Sequence, residues 1–167
     1  MTPIMLVDAL VHECETLFAG AQAKGEGGLY RPLRIHPQDL PARTQRNQPD
    51  YFPFLLVHFD KAEQQTETEP IMGKVLFLAG IYDDNSLPDG GEECEDFQGF
   101  RDPYSILWRL STHLFGVGIV GGNFQPVFPW TLEPSENNAY PYFYAGMMCG
   151  FLLPGLYDTE AQKHGYI

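Results

Sequence analysis

The side chains with chemistry to offer are few and scattered. Five histidines, His12, His36, His58, His113 and His164, include no pair at metal-ligand spacing. The step His58-Phe59-Asp60 puts an imidazole and a carboxylate two residues apart, on one face of a strand. With Asp83 and Asp84 at the end of a second strand, these four residues are the weak metal candidates; a solvated strand end gives the same pattern without an ion. Asp83, Asp84, Asn85, Asp89, Glu92, Glu93, Glu95 and Asp96 form an oxygen-rich run. An EF-hand needs a glycine sixth and acidic or amide ligands at alternate positions. Counted from Asp84, glycine falls seventh, with Ser86 third and Pro88 fifth, so the run reads as a solvated loop.

Nucleophiles fare no better. Cys94 lies between Glu93 and Glu95, whose charges raise a thiol pKa. Cys14 and Cys149 sit in apolar stretches and read as inert core residues. No GxSxG, Walker A or HExxH sequence occurs. Gly116, Gly118 and Gly121 have the GxGxxG spacing but follow a helix and precede a strand, the reverse of the dinucleotide-binding context. The expectation is a protein that is not an enzyme and carries no cofactor.

Composition sets the frame for those residues. The chain has 167 residues, 44% hydrophobic and 14% aromatic, which suits one globular domain with a single core. Its net charge of −12 excludes a nucleic-acid grip by the whole surface and adhesion to an anionic membrane. The first residues lack the basic start of a signal peptide, and no run approaches the ~20 apolar residues of a bilayer span. Three cysteines without CxxC spacing point to a reducing compartment.

The elements follow from periodicity. Ile4, Val7, Leu10, Val11, Cys14, Leu17, Phe18 and Ala21 repeat at helical spacing, predicting a helix over 3–24 that ends at Gly25, Gly27 and Gly28. Residues 29–50 hold four prolines and read as a long irregular basic loop, with at most a short strand near 33–36. Residues 51–60 and 71–84 are apolar on both faces and read as an antiparallel hairpin whose two faces must both be covered, by helices or by neighbouring subunits. Asp102-Pro103 predicts a helix start, with Ile106, Leu107, Leu110 and Leu114 as its core stripe and Gly116 as its end. Residues 123–133 and 140–153 form a second antiparallel pair, and a tail follows from about 155. The expected fold class is α+β: a four-stranded, mainly antiparallel sheet with two helices on one face, in the order α-β-β-α-β-β.

Charge is segregated along this frame. Residues 31–46 hold Arg31, Arg34, Arg43 and Arg46 against Asp39, a net of +3. Residues 60–102 hold twelve acids against Lys61, Lys74 and Arg101, a net of −9. Head-to-tail contact between copies sets the one against the other, a heterologous arrangement that closes into a ring. The predicted interface residues are therefore Arg31, Arg34, Arg43, Arg46, Asp83, Asp84, Asp89, Glu92, Glu93, Glu95 and Asp96. Two solvated loops with no partner account for the same charges.

Three stretches, YFPFLLVHFD, FQGFRDPYSILWRL and YPYFYAGMMCGFLLP, resemble in order and spacing the tail terminator (tail-completion) proteins of siphophages and prophages. The anchors are Gly99 to Asp102 leading into a helix and Tyr140-Pro141-Tyr142 leading into a glycine-bearing strand. The resemblance covers roughly 50–155; the arginine-bearing loop at 31–46 has no counterpart in its pattern. It implies a structural virion protein without an active site. Its subunits form a homo-oligomeric ring, a hexamer, that caps the tail tube and meets the head-tail connector protein. DNA only passes through the lumen, which an acidic lining keeps from sticking, and no membrane is involved. A connector or stopper subunit is the alternative in the same class; a metal-dependent enzyme or a monomeric binding module are the alternatives outside it.

Overall fold

Pro3 supplies the fixed φ of a first helical turn and opens α1 (Pro3–Leu17) in the computed structural model, which describes residues 3–25, 29–42, 51–66, 68–84, 101–136 and 140–153. Leu6, Val7, Leu10 and Cys14 are buried on one side, with Asp8, His12 and Glu15 exposed on the other. The helix stops seven residues short of the expected end at 24. The Phe18 amide still donates to the Cys14 carbonyl at 2.9 Å, but Gly20 adopts a φ of +75° and turns the chain into a strand.

That strand, β1 (Gln22–Lys24), pairs antiparallel with β2 (Tyr30–Pro32) as a separate two-stranded ribbon. β3 (Arg34–Pro37), β4 (Phe54–Glu63) and β5 (Ile71–Tyr82) follow. After them come α2 (Arg101–Val117), β6 (Gln125–Pro134) and β7 (Tyr142–Leu153). The second sheet has five strands in the order β3-β4-β5-β7-β6.

The expected four-stranded antiparallel sheet in the order α-β-β-α-β-β is thus incorrect. The fold is α+β with two sheets, and the larger is mixed because β3 runs parallel to β4, Arg34 opposite Phe54 and Pro37 opposite Val57. The physical reason lies in the prolines of 29–50. Pro32 and Pro37 stand at the last positions of β2 and β3, where a short strand needs no further ladder N–H. The Gln38 amide takes up the ladder again, donating to the Val57 carbonyl at 2.8 Å. The antiparallel pairings β4–β5 and β6–β7 are as expected, while β5–β7 completes the sheet over twelve residue pairs.

Alternation on the strands divides the interior in two. Leu55 and Val57 of β4, Val75, Phe77 and Ala79 of β5, and Ala145, Met147, Cys149 and Phe151 of β7 face the helices. There they pack on Leu6, Leu10, Leu107, Leu110 and Leu114, every one of which is fully buried. Each buried leucine contributes about 1.5–3 kcal/mol relative to exposure. α1 lies over β3 and β4, and α2 over β5, β7 and β6.

On the opposite face Phe54 and Leu56 are covered by Leu40, Tyr51 and Phe52, from the segment between β3 and β4. The Tyr51 hydroxyl donates to the Pro41 carbonyl and pins that segment. So the chain itself, rather than a neighbouring subunit, covers this end of the helix-free face. Gly80 makes the fit possible, because the Phe54 ring occupies the space a Cβ would need.

α2 begins at Arg101, one residue before the expected cap, and runs through Gly116. Gly118, with a φ of +77° and its amide donating to the Leu114 carbonyl at 3.1 Å, ends it instead. Gly121 then allows the turn to pack on α1: its φ is +57° and an added Cβ would stand 2.7 Å from that of Ala9. The glycines of the GxGxxG-spaced run therefore serve a helix end and a tight turn.

Candidate assembly surfaces

The charged residues singled out in the sequence for contact between copies are described in part. Arg31 lies half-buried in β2 and Arg34 half-buried in β3, both in strands rather than on an irregular loop. The Arg31 stem packs against Gly25, its Cδ 3.1 Å from where a Cβ would stand. Asp83 is buried beyond the end of β5 and pairs within its own chain, its Oδ1 3.0 Å from Lys24 Nζ. Asp84 follows it, half-buried. Arg43, Arg46, Asp89, Glu92, Glu93, Glu95 and Asp96 lie outside the described residues, as do Cys94, His164 and the predicted tail from 155.

The Lys24–Asp83 pair ties the ribbon to the main sheet. Burial pulls the Lys24 ammonium down, but the hydrogen bond and charge of Asp83 outweigh it and hold the pKa above its ordinary value. Partial burial, then the Asp83 charge, push the Asp102 carboxyl up, with Lys24 opposing. Asp102 borders a cavity of about 300 Å³ between the ribbon and α2, together with Phe18, Tyr30, Leu33 and Arg109. The Arg109 guanidinium is held there, donating to the Leu17 carbonyl at 3.1 Å and lying 5.4 Å from the centre of the Phe18 ring.

The metal candidates are dispersed. His58 Nδ1 is 2.9 Å from the Gln38 carbonyl oxygen, and Gln38 also brackets the Phe59 backbone, accepting from its amide at 3.1 Å and donating to its carbonyl at 3.2 Å. A register shift between Phe59 and Lys61 takes Asp60 out of the alternation that would align it with His58. Among the described residues no group of three or more His, Cys, Asp or Glu stands close enough to hold an ion. His113 pairs with Glu13 across the two helices at 2.9 Å, and His12 is exposed on α1. Cys14 and Cys149 are buried, and burial pushes both thiols up to about 12, with Glu13 and Glu15 adding to the effect at Cys14.

The more organised surface is apolar. Tyr104, Trp108 and Phe115 share one face of α2, and Phe128, Trp130 and Leu132 lie along β6 beside them. Trp108 meets Trp130 edge-on at 6.0 Å, and Phe115 stacks on Phe128 at 4.9 Å. Despite these contacts Trp108 is 60% exposed and Phe128 70%. The signal was present in the sequence: residues 104, 108 and 115 fall within about 40° on a helical wheel, and 128, 130 and 132 alternate on a strand. The stripe of Ile106, Leu107, Leu110 and Leu114 by itself accounts for a helix packed on one side, so the aromatic face does not stand out in the sequence.

Two further hollows are apolar. On the helix-free face Leu76, Leu78 and Met148 border one of about 420 Å³, floored by Gly146 and rimmed by Thr131 and Glu133. At the α1 edge of the sheet Pro3, Ile4, Val7, Pro37 and Phe59 line another of about 330 Å³, with Asp8 and Gln38 at its border. No helix of the described residues is long and apolar enough to cross a membrane. No family model and no curated protein matches the chain.

Proposed function

We propose that this chain is a structural protein of a phage tail, a terminator-like subunit that assembles into a six-membered ring, caps the tail tube and joins it to the head connector. In this reading it is not an enzyme, its partners are copies of itself, the tail tube protein and the connector, and it resides in the neck of the virion. The observation that carries the reading is uncovered apolar surface on both flanks of the helical layer and on the helix-free face. Contiguous patches of this kind mark contact surfaces on proteins that do not remain alone. Of the residues that carry the resemblance, Arg101 and Asp102 open α2, and Tyr140-Pro141 precedes β7, the Pro141 carbonyl accepting the Asp83 amide at 2.9 Å.

Negative-stain images and light scattering on the purified full chain test the reading. It expects annular particles with a mass several times 18.9 kDa. A single species of 18.9 kDa at every concentration reached would refute it.

A further inference from the structure

Prolines interrupt both edges of the larger sheet for strand addition. β6, at one edge, carries Pro126, Pro129 and Pro134, which have no N–H to offer a new strand. β3, at the other, is four residues long and ends in Pro37. Side chains are therefore the better handle for a partner at either edge. At the β6 edge those are protruding aromatics, led by Phe128 at 70% exposure and Trp108 at 60%. At the β3 edge, beside α1, there is a hollow of about 330 Å³ walled by Ile4, Val7, Pro37 and Phe59.

We infer that these edges bind each other between copies, the aromatic row of one subunit seating in the α1–β3 hollow of the next. The occupant is a second copy because the two features are complementary in three respects. One projects and the other is recessed. The recess is large enough for an aromatic ring. Arg109, its guanidinium already donating to the Leu17 carbonyl, borders the projecting side beside Trp108, and Asp8 borders the recess, so the two sides carry opposite charge. The features lie on opposite flanks of one layer, so the contact is heterologous: each subunit uses a different patch for each neighbour, and the chain of contacts runs on until it closes. This rests on the assembly reading above and names its interface. It is a different contact from the arginine-against-acid one expected from the sequence.

The test uses two variants at exposed positions, Phe128→Asp on the projecting side and Ile4→Asp on the recessed side, each with its melting curve compared with the parent. Either substitution should weaken self-association by roughly 30-fold or more, the size of a hot-spot loss. Each variant keeps one intact edge. Mixed together they should form a one-to-one dimer that grows no further, seen as a doubled mass in native mass spectrometry. Variants that assemble like the parent, or a mixture that stays monomeric, would overturn the interface and leave the ring reading standing. A parent chain that forms open filaments through these residues would keep the interface and refute the ring. A parent that never associates refutes both.

Discussion

Gly80→Ala should destabilise the protein by an amount set by one ring. A Cβ at Gly80 would stand 2.3 Å and 2.5 Å from the Cε1 and Cζ of Phe54, where carbon atoms normally keep about 3.5–4.0 Å. The ring must retreat by more than 1 Å, and it has nowhere to go. Phe54 is 1% exposed, and its ring centre lies 5.4 Å from that of Phe52 and 6.3 Å from that of Tyr144. Overpacking of this kind costs about 1–3 kcal/mol. The backbone at Gly80 is not left-handed, so alanine also recovers about 0.4–1 kcal/mol by restricting the unfolded chain. The net loss should be roughly 1–2 kcal/mol, a fall in Tm of about 2–8 °C for a chain of this length. Gly146→Ala is the matched control: it lies on the same sheet face, but its Cβ would meet only Leu76 Cδ1 at 3.6 Å. That variant should be neutral or slightly more stable. Urea titrations of both, and of Gly80→Ala combined with Phe54→Leu, measure the effect. Shortening the ring should recover at least about 1 kcal/mol of the loss. Equal stability of the two alanine variants, or strict additivity with Phe54→Leu, would refute the steric account.

Lys24→Met removes the ammonium facing a carboxylate whose side chain is 12% exposed, and should cost about 2–4 kcal/mol in urea titration; adding Asp83→Asn should recover much of it, and a loss under about 0.5 kcal/mol would show the pair to be dispensable. His36 has its pKa lowered, by burial first and by Arg34 second, and its Nε2 is buried without a hydrogen-bond partner among the described residues. The folded state therefore binds fewer protons there than the unfolded chain, so this contribution is intact above about pH 6.5 and is lost as pH falls below it. Urea midpoints between pH 7 and pH 5 should decline less for His36→Leu than for the parent, and parallel profiles would contradict the assignment.

Much of the fold was legible wherever one physical signal dominated. The periodicity of Val7, Leu10, Cys14, Leu107, Leu110 and Leu114 placed both helices, although Leu6 rather than the exposed Ile4 completes the buried side of α1, and the two-sided apolar runs placed β4 and β5. A short strand near 33–36 was legible, but its parallel pairing with β4 was not, because four prolines in 29–50 read as an irregular loop and proline is compatible with a sheet edge when it falls at a strand end. The helix boundaries missed for a conformational reason: Gly20 and Gly118 are left-handed whereas Gly116 remains in the helix, a difference the residue type alone does not encode. For the site, summed charge does not tell which acids are already paired within the chain. Asp83 counts as one unit of an acidic run in the sequence, yet in the fold it is consumed by Lys24, fifty-nine residues away. The aromatics of α2 and β6 were each visible, but their juxtaposition depends on which sheet edge β6 occupies.

The strand order has a consequence for how the chain is made. β5 and β7 form the longest pairing in the sheet, yet residues 82 and 142 are separated by all of α2 and β6. On a ribosome adding 5–20 residues per second, β5 emerges roughly 4–14 seconds before the end of its partner. Through that interval the β4–β5 hairpin presents an unpaired strand edge and an apolar face on which Val75, Phe77, Ala79 and Ile81 are all destined for burial. Nascent chains of this protein are thus exposed to mispairing with one another while the sheet waits for its last strand, and production at lower temperature or with holding chaperones should favour the native fold over aggregation.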